Sequence, residues 1–416
     1  MLEARDLLGP ATGTRELNRK KMIIEIMIKA DRQSRIARRS GLSQASVSTA
    51  VQELAEAGIV EAEKGTEVRG RGRSAQVRLR PVRGVAVGVD LSHDHVTVVA
   101  RRVDQHFDRI RVQQRQDGAH GGLRRLLPSI VGMIGDAVEE TGQTLDDVVA
   151  AGISVPRMID PRTGRFTTPV LPPWTEHDQP AEELGRLLGV HFAIDNDANL
   201  GAMAEQTYGM DEPAETVVYV KATTGVGVGI MIGDKLLRGQ RGMAGEIGHL
   251  TMDRYGEVCQ CGGRGCLDSI VGAESLIAEV RQALRGNTID VPVTLASLIE
   301  KAHAGDAVCA RVLKDAGRTI GLALAQLCNL FNPHLVVLGG ELATGRELIL
   351  GPCRQELQRY ALAGAVNPAE GFVLRLSQLG ALAEAQGALI LGLRSCHGDE
   401  GGRTVNRAVG SGVSSS

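Results

Sequence analysis

The chain has 416 residues, 43% of them hydrophobic and 23% charged, the balance of a folded globular protein and not of a disordered one. Aromatic residues make up only 2% and the net charge is −2, which argues against recognition of bases by stacking and against a uniformly basic nucleic-acid binder. No apolar run reaches the ~18 residues a membrane span needs, and the opening MLEARDLL has no signal-peptide pattern, so a cytoplasmic protein with no membrane partner is expected. The charge is unevenly spread. Residues 1–80 carry 16 Lys+Arg against 10 Asp+Glu, and the remainder carries 31 against 39. A basic head on an acidic body is the layout of a DNA-binding unit joined to a ligand-binding or catalytic one.

Residues 1–82 read as a winged helix-turn-helix DNA-binding domain. Met22, Ile23, Ile26 and Met27 recur at helical spacing. Ser34 can cap a short helix over Arg35–Ser40, and Gly41 ends it. Ser43 then caps a third helix, Gln44–Ala57, with Val47, Val51 and Leu54 on its inner face. Ser40-Gly41-Leu42-Ser43 is the short link between the two helices, and strands at Val60–Glu63 and Gln76–Leu79 frame a wing. Ser43, Gln44, Ala45, Ser46, Ser48 and Thr49 are short side chains that can reach base edges and phosphates in a major groove, with Arg35 on the preceding helix as a further DNA contact. In the wing, Arg69, Arg71 and Arg73 alternate with glycines and can enter a minor groove or grip phosphates. The plainer alternative is a helical dimerisation unit with a solvated basic loop. The coincidence of helix spacing, turn and Arg-Gly wing favours double-stranded DNA.

The body reads as two α/β lobes, residues 83–200 and 201–379, the first completed by a C-terminal helix at about 380–395. Residues 396–416 are Gly- and Ser-rich and are expected to be a disordered tail. A coarse repeat underlies the lobes: near Gly84 and near Thr216, β-branched strands lead into a Gly-rich or polar turn. Val85–Leu91 is a buried strand that carries Asp90. Phe192-Ala-Ile-Asp-Asn196-Asp197 runs into an apolar helix, TVVYVKATTGVGVGI spans 216–230, and LVVLGGE ends a strand in Gly339-Gly340. Each motif alone is weak, since a Gly-rich turn after a strand is more often a tight turn than a phosphate cradle; their order carries the information.

Seven cysteines are present. Four are scattered, as small buried residues are in a cytoplasmic protein. The other three cluster in Gly245-Glu246-Ile-Gly-His249 followed by Cys259-Gln-Cys261-Gly-Gly-Arg-Gly-Cys266-Leu-Asp268. Three thiolates and an imidazole suit tetrahedral zinc, and four protein ligands leave no open position, so the ion would be structural. Three ordinary reduced cysteines, or a catalytic thiol, are the alternatives.

Together these residues resemble the ROK family of repressors, open reading frames and sugar kinases, over about Asn18 to Leu393. GEIGH and CxCGxxGCLD carry the resemblance, with Asn196-Asp197-Ala-Asn, Val155-Pro156, TTGVGVGI and the winged head in support. The resemblance implies an actin-like, sugar-kinase-type body, one zinc ion per chain on His249, Cys259, Cys261 and Cys266, and a sugar site at Asn196, Asp197, Glu246, His249 and Asp268. Where the family's kinases have Asp-Leu-Gly-Gly-Thr, this chain has Asp90-Leu91-Ser92-His93-Asp94, and Thr223-Thr224-Gly225 replaces Gly-Thr-Gly. The lost glycines and the added carboxylate argue against ATP. Arg157 stands where the family has Gly, and Asp268 where it more often has Glu. The expected function is therefore a DNA-binding transcriptional regulator, a repressor of carbohydrate metabolism genes. It would be controlled by a sugar or sugar derivative, would act as a homodimer or homotetramer on a DNA operator, and would have no kinase activity. The alternatives are an ATP-dependent sugar kinase with a DNA-binding head, Asp197 serving as its base, and a DNA-binding protein whose body answers to no sugar.

Overall fold

The computed structural model describes residues 2–63, 75–119, 122–167, 174–212, 214–284 and 291–397. A short strand β1 (Leu2–Glu3) and one turn α1 (Ala4–Leu7) precede three helices, α2 (Thr14–Ile28), α3 (Gln33–Ser40) and α4 (Gln44–Glu56). An antiparallel ribbon of β2 (Val60–Glu63) and β3 (Gln76–Leu79) follows, then β4 (Val82–Arg83). Gly41 closes α3 in the left-handed region (φ 67°), and the Ser43 hydroxyl accepts the Ser46 amide at 3.1 Å to start α4. The start of α3 differs from expectation. It begins at Gln33 without a side-chain cap, and the Asp31 carboxylate takes the Arg32 amide at 2.8 Å. Residues 2–7 leave the head: β1 pairs with β4, and a Cβ on Gly84 would meet Ala4 at 2.6 Å. The wing tip, with Arg69, Arg71 and Arg73, and the tail from residue 398 lie outside the described residues.

The first lobe holds β5 (Val85–Leu91), β6 (Val96–Arg102), β7 (Arg111–Arg115), α5 (Leu123–Glu139), β8 (Val148–Val155), the small hairpin β9 (Ile159–Asp160) and β10 (Arg165–Phe166), α6 (Pro180–Leu188), β11 (Phe192–Asn196) and α7 (Asp197–Thr207). The second holds β12 (Thr216–Ala222), β13 (Val226–Ile232), β14 (Lys235–Leu236), α8 (Asp268–Val271), α9 (Ala273–Ala283), α10 (Leu295–His303), α11 (Ala307–Phe331), β15 (Leu335–Gly339), α12 (Glu347–Tyr360) and β16 (Val373–Leu376). The last helix is α13 (Ala383–Ser395). The sheet orders are β7-β6-β5-β8-β11 and β14-β13-β12-β15-β16. In each, a three-strand antiparallel meander continues into two parallel strands, the repeat that the sequence foreshadows at Gly84 and Thr216.

Helices α7 and α13 fill the layer between the sheets. A Cβ on Gly88 of β5 would lie 2.0 Å from the Ala385 carbonyl, and one on Gly387 of α13 would lie 2.0 Å from that of Leu200. Such contact is open only to glycine. It lets Leu389, Ile390 and Leu393 bury fully, at roughly 1.5–3 kcal/mol per side chain. One apolar cluster runs from Met22, Ile23 and Met27 of the head through Val99, Ala204 and Tyr208 to Leu389 and Leu393, so head and first lobe share a core. Among the described residues, no helix is long and apolar enough to cross a membrane.

Candidate functional site: a polar cleft beside a Cys/His cluster

A cleft of about 970 Å³ opens between the lobes, and Asn196, Asp197, Glu246, His249 and Asp268 all line it. Asn196 caps α7: its side-chain oxygen accepts the Asn199 amide (3.2 Å) and its amide donates to the Arg157 carbonyl (3.3 Å). Asp197 starts the helix, and its Oδ1 accepts the Ala198 amide at 2.7 Å. Asp268 is fixed by the Val226 amide, which donates to its Oδ1 at 2.7 Å. Burial holds the Asp268 carboxyl above its ordinary range. Burial and the neighbouring Asp197 and Asp268 push Glu246 up to about 7, opposed in part by Arg157. A carboxyl at that value offers both a donor and acceptors to hydroxyls near neutral pH. Arg157 lines the cleft and donates to the Pro156 carbonyl at 2.8 Å.

The floor carries a group that sequence reasoning missed. Lys221, at the end of β12, is only 5% exposed. Its ammonium donates to Asp197 Oδ2 (2.9 Å) and to the Ser92 hydroxyl (3.3 Å) and lies 4.0 Å from Glu384. Burial opposes its charge, but Asp197, Asp90 and Glu384 outweigh burial and raise its pKa, so it stays protonated. Asp90 is saturated in the same way. It accepts the hydroxyls of Ser92 (2.8 Å) and Ser154 (2.5 Å) and stands 3.5 Å from His95 Nε2, whose Nδ1 meets Asp94 at 2.8 Å. Burial works against the His95 charge, yet Asp90 and Asp94 lift it to about 10. Asp90 itself is held well below the usual carboxylate range: burial opposes this, and Lys221 and His95 overcome it. The clue in the sequence was a lysine inside the otherwise apolar strand Val217-Val-Tyr-Val-Lys221-Ala, since a buried cation requires a partner.

Beside the cleft, one ligand atom from each of His249, Cys259, Cys261 and Cys266 lies within 4.8 Å of the others. Cys261 and Cys266 Sγ are 3.7 Å apart, and Cys259 Sγ is 3.8 Å from His249 Nδ1. Sulfurs at ~2.3 Å from a tetrahedral zinc stand about 3.8 Å apart, so the group fits such an ion and could hold a metal. With Nδ1 turned to the cysteines, Nε2 is the ring nitrogen left for the cleft. On the head, Ser43, Gln44, Ala45, Ser46, Ser48 and Thr49 form an exposed face of α4. Arg35 points elsewhere, pairing with Glu212 (2.8 Å) and Asp31 (3.7 Å).

Two lobes of like topology around a polar cleft define a sugar-kinase-type protein, here with a helical head fused to one lobe. The ROK family profile matches residues 87–395, and the chain belongs to the ROK family. It is 25% identical over 377 residues to the xylose repressor of Caldicellulosiruptor bescii, covering 86% of this chain and 92% of that one. It shares its fold with a ROK family transcriptional regulator described as a homologue of the E. coli MLC protein (TM-score 0.69, 20% identity, 91% of this chain and 97% of that one). A Streptomyces griseus ROK glucokinase, solved with glucose and AMPPNP, matches with a TM-score of 0.64 and 25% identity. That match takes in 100% of the kinase but 75% of this chain.

Proposed function

We infer that the protein is a sugar-responsive transcriptional regulator, a repressor of carbohydrate metabolism genes, and not a kinase. One observation carries this reading: a whole ROK kinase corresponds to only three quarters of the chain, and the described fold adds three helices and a ribbon that present Ser43, Gln44, Ala45, Ser46, Ser48 and Thr49 outward. These side chains, with Arg69, Arg71 and Arg73, supply the contacts to an operator, whereas Arg35, expected among them, is held by Glu212 and Asp31. A homodimer or homotetramer sets two heads on a pseudo-palindromic site. Asn196, Asp197, Glu246, His249 and Asp268 take the hydroxyls of a sugar or sugar derivative. Zinc on His249, Cys259, Cys261 and Cys266 stiffens the loop that carries the imidazole, leaving its second nitrogen for the ligand.

The ion pairs of the floor support the absence of phosphoryl transfer. A base must accept a proton from the sugar hydroxyl. Asp197 already accepts from the buried Lys221 ammonium, and protonating it would take from that cation the carboxylate it donates to. Asp90 and Asp94, on the side where phosphates and their metal would enter, are taken by His95.

The test is retention of genomic DNA fragments by the purified protein near physiological salt, challenged with xylose, N-acetylglucosamine, glucose and their phosphates. Selected fragments whose retention one sugar changes are expected, and Glu246→Ala should lose the sugar response while keeping the DNA. No selected fragment, together with ATP-dependent sugar phosphorylation, would return the kinase reading.

A further inference from the structure

Two helices run from the cleft to the head, and each is fastened at both ends. Helix α7 starts at Asp197 in the cleft. At its other end the Tyr208 hydroxyl donates to the carbonyl of Ile28, the last residue of α2, at 3.0 Å. Next to it, the Lys29 ammonium donates to the Thr207 carbonyl at 2.7 Å. Helix α13 has Glu384 at the cleft, accepting the Tyr219 hydroxyl at 2.8 Å. Ten residues on, Arg394 Nε donates to Glu25 Oε1 of α2 at 3.3 Å.

Glu25 is buried, and it also accepts from Arg39 Nε of α3 at 3.1 Å. Arg39 in turn donates to Asp31 (2.8 Å) and to the Lys29 carbonyl (2.6 Å). One carboxylate thus joins α2, α3 and α13. At the cleft end the single ammonium of Lys221 touches Asp197 and neighbours Glu384, the first residue of α7 and the second of α13. The rods have no slack between them, because Gly387 lies against the Leu200 carbonyl. At ~1.5 Å per residue each spans about 15 Å.

The second lobe meets the same assembly. The Gln206 amide of α7 donates to the Gly233 carbonyl in the turn between β13 and β14, and Asp234 of that turn lies 3.4 Å from Arg38 of α3. A shift of the second lobe over the cleft therefore acts on the cleft end, through Lys221, and on the head end, through residues 233–234.

We propose that α7 and α13 are the coupling unit that carries the ligand state of the cleft to the head, with Lys221 the positioning residue at the cleft end and the Glu25–Arg394 pair the joint at the head end. The inference rests on the reading of the cleft as an effector site and the head as a DNA binder. Its physical basis is that a sugar hydroxyl bound to Asp197 draws on the carboxylate that holds Lys221, while α7 ends on the head in a buried hydroxyl–carbonyl bond and α13 in a buried ion pair. Buried pairs of this kind hold or break, because a half-made one leaves an unpaired charge in the core. A ligand shifts such an equilibrium by its differential affinity for the two arrangements.

The test uses the full chain, a DNA fragment retained in the screen above and the sugar that changes its retention. Calorimetry gives sugar affinity without DNA, and DNA affinity is measured with and without sugar. In the unmodified protein the two DNA affinities should differ by about 5–150-fold. Arg394→Met should bind the sugar as the parent does, within about twofold, while the sugar changes its DNA affinity by less than about twofold. Should Glu25, left with Arg39 as its one arginine partner, prevent folding, Glu25→Gln with Arg394→Met removes both charges, and Tyr208→Phe removes only one hydroxyl from the other rod. Both are expected to lower the sugar-dependent ratio. A folded Arg394→Met, or a Tyr208→Phe, with the parental ratio overturns the proposal. A parent that binds sugar and DNA with no mutual effect also overturns it while leaving both binding functions in place. A parent that binds no sugar refutes the functional reading, and the coupling with it.

Discussion

Lys221→Met is the most informative single change. Methionine keeps an unbranched side chain only one atom shorter and removes its charge. Left behind are Asp197 at 8% exposure, Asp90 at 1% and Glu384 at 4%, three carboxyl groups with their common cation gone. Removing one partner of a buried ion pair costs about 3–5 kcal/mol. Burial already raises the Glu384 carboxyl, and taking up a proton there relieves part of the charge, so the lower end of that range, about 3 kcal/mol, is expected. At a urea slope of roughly 1–3 kcal/mol/M, the unfolding midpoint falls by about 1 M or more. The single tryptophan, Trp174, is buried edge-on against Phe166 in the first lobe and reports the transition by fluorescence. Adding Asp197→Asn should recover part of the loss, since it removes one of the stranded charges. A midpoint shift below about 0.3 M at such slopes, or a double variant no better than the single one, would refute the picture of a dry ion pair.

Three further outcomes follow from the same chemistry. His95 is held protonated to about 10, against an unfolded value of about 6.5. Above the unfolded value the folded state binds the extra proton, so this contribution is whole below about pH 6.5 and is lost as pH rises toward 10. Stability should therefore decline between pH 7 and 9, a decline absent from His95→Gln, and parallel unfolding curves for the two proteins would sink the assignment. Cys261→Ser should carry less than one zinc per chain by elemental analysis and bind sugar more weakly; full zinc content would contradict the ligand set. Arg71→Ala should weaken DNA binding and flatten its dependence on log salt by about 0.9 per lost phosphate contact, and an unchanged slope would remove the wing from the interface.

Features set by neighbours in the chain were legible from the residues. Ser43 and Gly41 mark the ends of their helices because cap and stop are local devices, and the Cys259–Cys266 spacing places three sulfurs together within a single loop. Asn196, Asp197, Glu246 and Asp268 were found through motif resemblance, and they converge on one cleft. What escaped was long-range pairing. Lys221 meets Ser92 across 129 positions and Arg394 meets Glu25 across 369, and a sequence holds no local sign of such partners. The unexpected start of α3 has the same origin, since Asp31 is busy with Arg39 and with a bridge to Val77. The docking of residues 2–7 on Gly84 was likewise hidden, because a two-residue strand has no periodicity to read.

The shared core of the head and α13 also bears on biosynthesis. Met22, Ile23 and Met27 leave the ribosome early, yet Leu389 and Leu393, which share their cluster, emerge only after more than 360 further residues. Until then the part of the head's apolar underside that α13 covers stays open and Glu25 lacks Arg394. A chain cut short by a nonsense codon or a protease before α13 thus carries the recognition helix on an unfinished support, and is a substrate for chaperones and degradation before it can occupy an operator.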